Sequence, residues 1–208
     1  DLFAASLGRQ GMPIDTLISA AARTELATMF GDLLRYQDGY EILEPLLRRA
    51  DEDQNFARRL QSQFSVVTRM KSTMLYYRGL VEAKLEDPEQ RQAAQQTLVS
   101  ALELDPINVD ILIAMYRLEG DQRWREDVRR RIRSIATTFD NQIEAVNQQI
   151  QLRVRFPDML SRLAEQYNQY AWLVSNTEGD QQKALQYSLR SLELTPDEPA
   201  LLDTAGRC

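Results

Sequence analysis

The sequence contains no histidine and only one cysteine, Cys208, in 208 residues. Without histidine the chain lacks the usual general base at neutral pH, the commonest metal ligand and every Ser-His or Cys-His pair. A single cysteine excludes an internal disulfide and any zinc site built from several cysteines. We therefore expect no catalytic residues, no cofactor and no metal site in this chain.

Glycine, proline and long apolar runs are also scarce. The chain has eight glycines and seven prolines, and nearly all of them stand between segments with helical periodicity. No stretch approaches the ~18 consecutive apolar residues of a membrane-spanning helix. The formal net charge of −6 argues against a nucleic-acid binder, which needs an excess of Lys and Arg along one face.

There is no amino-terminal signal peptide, and the chain begins with Asp1 rather than Met. Both Asp1 and Cys208 resemble cut ends, so we expect a segment of a longer protein. The compartment, cytoplasmic or periplasmic, is left open.

Apolar residues recur with a period near 3.6 between the turn signals, which are the positions rich in glycine and proline. No window shows the alternation of apolar and polar residues that is typical of a half-buried strand. The sequence therefore predicts an all-α protein. Pro45 indicates that its helix begins near Tyr40 or later, because proline is tolerated in a first turn. The predicted helices lie near 2–10, 14–36, 40–50, 54–85, 89–104, 108–119, 122–155, 158–176, 181–194 and 198–207.

An internal repeat is visible in two motifs. Residues 100–106 read Ser-Ala-Leu-Glu-Leu-Asp-Pro, and residues 190–196 read Arg-Ser-Leu-Glu-Leu-Thr-Pro. Ala94 and Ala184 each stand seven residues before the small residue of their motif. Small residues at this spacing share a helix face that a neighbouring helix can approach, and the proline then ends the helix.

These residues, with Tyr-Asn-Gln-Tyr-Ala-Trp-Leu at 167–173, resemble the tetratricopeptide-repeat (TPR) family, and in particular large bacterial multi-repeat TPR proteins. The family unit is two antiparallel helices in about 34 residues. The resemblance implies one array over 1–208, an antiparallel helical-hairpin solenoid forming a right-handed superhelix. The clearest units are 24–57 and 165–198, and the degenerate or extended units are 1–23, 58–106 and 107–164.

Two intervals are too long for the repeat. Ala50 to Ala101 spans 51 residues, which is about 17 more than one unit. Pro106 to Pro196 spans 90 residues, which is about 22 more than two units. The excess falls in segments of unbroken helical periodicity, so we predict two overlong helices, 54–85 and 122–155.

The predicted helix 122–155 carries an apolar stripe with the spacing of a coiled-coil seam. One interpretation is that the stripe packs inside the molecule, against 158–176 and 54–85. The other is that it is a surface for self-association, in a chain that is otherwise monomeric, or for a partner helix. The stripe consists of Trp124, Val128, Ile132, Ile135, Phe139, Ile143, Val146 and Ile150.

The same helix is rich in arginine, and acidic residues precede several of the arginines by four positions. Arg129 and Arg133 lack such an acidic residue. A solvated charged face is one interpretation of these two residues. Contacts to a phosphate or an acidic peptide are the other.

In TPR proteins the first helices of the units line a concave groove that binds a peptide. The resemblance implies that the groove of this chain is lined by Thr28, Met29, Asp32, Tyr76, Tyr77, Gln166, Gln169, Tyr170 and Leu173. Some of these tyrosines could instead belong to the core. The paired Lys and Asn with which chaperone-binding TPR domains hold a terminal carboxylate are absent, and we reject that function.

The sequence thus predicts a scaffold for protein–protein interaction and not an enzyme. It would bind a peptide or protein partner in the groove of a TPR array. The alternative is a regulatory or substrate-recognition segment of a larger enzyme whose catalytic domain lies outside this chain. Neither nucleic acid nor a membrane is expected as a partner.

Overall fold

The computed structural model describes residues 17–63, 67–84, 87–152 and 158–208. These residues form helices and no strand, so the all-α prediction is confirmed for them. The predicted helix 2–10 lies outside the described residues. The ten described helices are α1 (Leu17–Asp32), α2 (Tyr36–Glu52), α3 (Gln54–Gln63), α4 (Val67–Glu82), α5 (Pro88–Leu104), α6 (Val109–Arg117), α7 (Gln122–Gln151), α8 (Met159–Asn176), α9 (Gln181–Leu194) and α10 (Pro199–Arg207).

The chain divides into two compact units, Asp1–Pro106 and Ile107–Cys208. Their border coincides with the predicted boundary between the repeat units 58–106 and 107–164. Each unit has its own buried apolar residues. The continuous array over 1–208 stays a prediction.

Asp and Asn side chains fix where several helices begin. The side chains of Asp87, Asn108, Asp121 and Asp180 each accept a hydrogen bond from a backbone N–H in the first turn of the following helix. Such caps satisfy N–H groups that have no partner within the helix, and each contributes about 1 kcal/mol. The turn signals in the sequence therefore mark real helix starts.

The first unit packs α2 against α1, α3 and α4, and α4 in turn against α5. Its centre is a cluster of buried apolar residues: Ala20, Ala27, Leu43, Leu46, Leu47, Ala50, Phe56, Leu60, Met70 and Tyr77. Between α4 and α5 the buried Ser72 hydroxyl donates a hydrogen bond of 2.8 Å to the Ala101 carbonyl oxygen. This bond satisfies a polar side chain that would otherwise be costly to bury.

Pro45 shows where the sequence interpretation of the first unit is wrong. The helix α2 begins at Tyr36 and carries Pro45 in its interior, beyond the first turn. An interior proline removes one backbone hydrogen bond. The apolar face with Leu43, Leu46 and Leu47 is nevertheless at most 2% exposed, and burial of that face outweighs the lost bond.

The second unit is built around α8, which packs against α6, α7, α9 and α10. Its buried face includes Leu163, Tyr167, Ala171 and Val174. Because four helices surround α8, only a narrow part of its circumference reaches solvent. This crowding decides which of its side chains are available to a partner.

Of the two predicted overlong helices, 122–155 corresponds to a single long helix in the part of the chain that the structure describes. The helix α7 has 30 residues, which corresponds to about 45 Å at a rise of 1.5 Å per residue. The range predicted as 54–85 contains two described helices, α3 and α4, and residues 64–66 lie outside the described part.

The apolar stripe of α7 is largely buried. Val128, Ile132, Phe139 and Ile143 are between 1% and 3% exposed, and Ile143 clusters with the buried Leu163 of α8. The last residue of the stripe, Ile150, is 38% exposed. These burials favour internal packing of the stripe over a surface for association.

Candidate partner-binding surface

The predicted groove residues of the first unit lie on α1 and α4. Thr28, Met29 and Asp32 are exposed on the last turns of α1, and Met29 is 58% exposed. Tyr76 is half-buried, whereas Tyr77 is 6% exposed and belongs to the core. Of the two tyrosines, only Tyr76 presents appreciable surface.

The predicted groove residues of the second unit all lie on α8. Gln166 and Gln169 are half-buried and partly accessible. Tyr170 is 4% exposed and Leu173 is fully buried, and the Tyr170 ring packs edge-on against Tyr187, with 4.9 Å between the centroids. Burial is also the main cause that raises the pKa of Tyr170. Tyr170 and Leu173 are therefore core residues, which corrects their assignment to a groove.

Arg129 and Arg133 have an acidic partner in the structure. Glu178, in the turn between α8 and α9, binds Arg129 Nε at 3.0 Å and Arg133 Nη1 at 3.3 Å. One carboxylate thus neutralises part of the charge of both arginines. Neither arginine has an acid four positions earlier, but both are paired in the structure. The apparent lack of an acidic partner, which suggested an anion site, therefore no longer supports one.

Trp172 joins three helices on the accessible side of α8. Its indole Nε1 donates a hydrogen bond of 2.8 Å to Asp110 Oδ1 on α6. The Arg207 guanidinium of α10 lies 5.1 Å from the centre of the indole ring, which is within the range of a cation–π contact. The half-buried Trp172 is thus held between an acid and a base.

A second polar link lies one turn further along α8. Arg117 at the end of α6 donates a hydrogen bond of 2.6 Å to Asn176 Oδ1, and Asn176 Nδ2 donates to the Trp172 carbonyl oxygen at 2.9 Å. The positions 169, 172 and 176 share one face of α8 by their spacing. We name the whole set the Trp172 surface: Asp110, Arg117, Gln169, Trp172, Asn176 and Arg207.

The chemistry of the Trp172 surface is that of recognition. It combines a large aromatic ring, two arginines, an acid and two amides, which offer apolar contact area and hydrogen-bonding groups of both kinds. Within the described residues no group of three or more acidic, His or Cys side chains is placed to hold a metal ion. In the same part of the chain no helix is long and apolar enough to cross a membrane.

Of the six residues of this surface, the groove prediction included only Gln169. Gln169 and Asn176 flank Trp172 at helical spacing, a pattern that the sequence shows. Asp110 and Arg117 stand seven residues apart and so share a face of α6. Their pairing with Trp172 and Asn176 spans about 60 residues of sequence, with separations of 62 and 59, and only the fold shows it.

Comparison with known proteins finds no matching protein-family model, curated protein or solved structure.

Proposed function

We propose that this chain is a protein–protein interaction module of the TPR-like helical-hairpin type. In this proposal α6, α8 and α10 are the first helices of successive hairpins, and their exposed faces hold a peptide or protein partner. What supports it is the order of the helices in the second unit, where α8 packs beside both α6 and α10. In this proposal the partner contacts the face of α8 that carries Trp172, and not Tyr170 and Leu173.

The observation that carries the proposal is the half-buried Trp172, held by Asp110 and Arg207. Tryptophan and arginine are the residues on which binding energy most often concentrates, because they bring large contact area with few degrees of freedom. Since Asp110 fixes the indole in place, little entropy remains to be lost when a partner binds. The surface is thus preorganised for binding.

We expect Trp172→Ala to weaken partner binding by about 30-fold, the loss typical of an aromatic residue that dominates an interface. Peptides of 12 random residues would be selected on the unmodified chain by phage display. The affinities of the selected peptides would then be measured by fluorescence anisotropy for both proteins. Gln169→Ala, on the same face, should cause a smaller loss.

Leu189→Ala is the matched control, because Leu189 is an apolar residue of α9 that is 51% exposed. It should leave every affinity unchanged, and far-UV circular dichroism should show the same helix content in all variants. Equal affinities of Trp172→Ala and the unmodified chain for all selected peptides would contradict the proposal.

A further inference from the structure

A second feature of the Ile107–Cys208 unit is an open cleft between the later part of α7 and α9. Its volume is ≈ 440 Å³, which lies within the ~300–1,000 Å³ typical of binding pockets. Side-chain hydrogen bonds of Lys183 and Tyr187 with Asp140 join the two helices across it. The residues that line the cleft are Asp140, Ile143, Glu144, Asn147, Gln148, Gln151, Lys183, Tyr187 and Arg190.

One end of the cleft is closed by an internally satisfied cluster. Asp140 accepts hydrogen bonds from Lys183 Nζ at 2.7 Å and from the Tyr187 hydroxyl at 3.0 Å. The Lys183 ammonium also lies 5.3 Å from the ring centres of Tyr170 and Tyr187. Burial and the bond to Asp140 raise the pKa of Tyr187, so its hydroxyl keeps its proton. This end is a fixed wall with little capacity to bind a charge.

The other end of the cleft is organised by a buried hydroxyl. The oxygen of Tyr167, a residue 3% exposed, accepts hydrogen bonds from Asn147 Nδ2 at 3.1 Å and from Arg190 Nη1 at 3.5 Å. The Tyr167 ring in turn packs against Tyr187, with 4.9 Å between the centroids. The buried Tyr167 thus contacts one side chain from each wall of the cleft, Asn147 by an ordinary hydrogen bond and Arg190 at the outer limit of one.

Arg190 is the cation with capacity for a ligand. Its bond to Tyr167 engages one of the five N–H groups of a guanidinium and raises the pKa of Arg190, so the group stays charged. Among the described ion pairs, Lys183 is bound to Asp140 and none involves Arg190, although the Glu193 carboxylate on the same helix attracts Arg190 at longer range. A carboxylate is the ligand that best fits these remaining donors.

The other acidic side chain that lines the cleft is Glu144. Glu144 is exposed, as Arg190 is, and its carboxylate accepts a hydrogen bond of 3.3 Å from Gln148, which is itself an exposed residue of α7. No described hydrogen bond joins Glu144 to a buried residue, whereas Arg190 contacts the buried Tyr167. The structure thus favours an anionic over a cationic group as the ligand of this cleft.

The α7 wall fits the main chain of an extended peptide. Asn147 and Gln151 are one helical turn apart, about 6 Å along the axis, and two residues of an extended chain span about 6.6 Å. Each amide side chain carries donors and an acceptor that complement a peptide N–H and C=O. One N–H of Asn147 is held by Tyr167, which leaves its carbonyl oxygen and its other N–H for a ligand.

We propose that the cleft between α7 and α9 binds an extended peptide segment that places an Asp or Glu side chain against Arg190. The main chain of the peptide pairs with Asn147 and Gln151. This site is separate from the Trp172 surface, and it uses helices that carry none of that surface.

The probes for this proposal are two pools of ten-residue peptides, acetylated and amidated at their ends. One pool has a fixed central Glu among randomised neutral residues, and the matched pool has Gln at that position. Affinity would be measured for both pools against the full chain by microscale thermophoresis. We expect the Glu pool to bind about tenfold more tightly, the effect of one charge-assisted hydrogen-bonded pair.

Four variants test where the peptide binds. Arg190→Gln should abolish the preference for Glu, and Asn147→Ala should weaken both pools equally. Arg123→Gln, an exposed arginine in the first turn of α7, is the matched control and should leave the preference unchanged. Trp172→Ala should also leave it unchanged, which separates this site from the proposed partner-binding surface.

Two results would overturn the inference. One is equal affinity of the unmodified chain for the Glu and Gln pools, which includes the absence of binding to either. The other is a Glu preference that persists in Arg190→Gln. If free glutamate bound as tightly as the Glu pool, the pairing of the peptide main chain with Asn147 and Gln151 would be wrong.

Discussion

Ile132→Asp is expected to unfold the Ile107–Cys208 unit. Ile132 lies in the middle of the α7 stripe and is 1% exposed. An unpaired carboxylate at such a site costs several kcal/mol, because the charge is removed from water with no compensating partner. A domain is stable by only about 5–15 kcal/mol, so this single change consumes much of that margin. Loss of helical signal in far-UV circular dichroism and of hydrogen-exchange protection in α7, α8 and α9 would measure it.

Two variants on the same helix make this test specific. Gln142→Asp introduces the same carboxylate at an exposed position of α7 and should leave the protein folded. Ile132→Val removes one methylene and should cost about 1 kcal/mol. If Ile132→Asp instead remained folded and converted a dimer into a monomer in light scattering, the stripe would be an interface between copies.

Helix positions were the most predictable part of the fold. The predicted helix 181–194 has the same bounds as α9, and 158–176 differs from α8 by one residue. Prediction succeeds here because the signals are local: Asp180 caps α9, and the segment at Thr195-Pro196 ends it. The predicted helix start near Pro45 was wrong because the hydrogen bond lost at the proline is a local effect. The burial that offsets this loss depends on α1 and α4, which pack against the same helix.

The candidate site was harder to predict than the helices. Periodicity places Gln169, Tyr170 and Leu173 on α8, but it does not say which part of that helix the neighbours cover. Four helices pack on α8, and they bury Tyr170 and Leu173 while leaving Trp172 partly accessible. The partner of Arg133 is similarly invisible in a local pattern, since Glu178 lies 45 residues away.

A close approach of helices in the first unit also depends on residues far apart in sequence. The Tyr77 ring of α4 packs against two glycines, Gly31 of α1 and Gly39 of α2. A Cβ added to Gly31 would lie 2.8 Å from Tyr77 Cζ, and one added to Gly39 would lie 2.9 Å from the same ring. Both distances are shorter than ordinary van der Waals contact. The Tyr36 ring, with its centroid 5.8 Å away, further limits how far Tyr77 can shift.

Gly31→Leu is therefore expected to destabilise the first unit by about 3 kcal/mol or more, because a branched side chain must enter space that Tyr77 occupies. Urea unfolding followed by circular dichroism would measure the loss. Gly206→Leu is the control: Gly206 lies in α10, and a Cβ there would meet nothing within 4 Å, so its replacement should be neutral or slightly stabilising.

Tyr77→Ala alone should cost about 3–5 kcal/mol by leaving a cavity. In the double variant Gly31→Leu/Tyr77→Ala, the leucine can fill part of the cavity that Tyr77 leaves. The destabilisation of the double variant should therefore be smaller than the sum of the two single losses by about 1 kcal/mol or more. Strict additivity would show that Gly31 and Tyr77 do not compete for the same space.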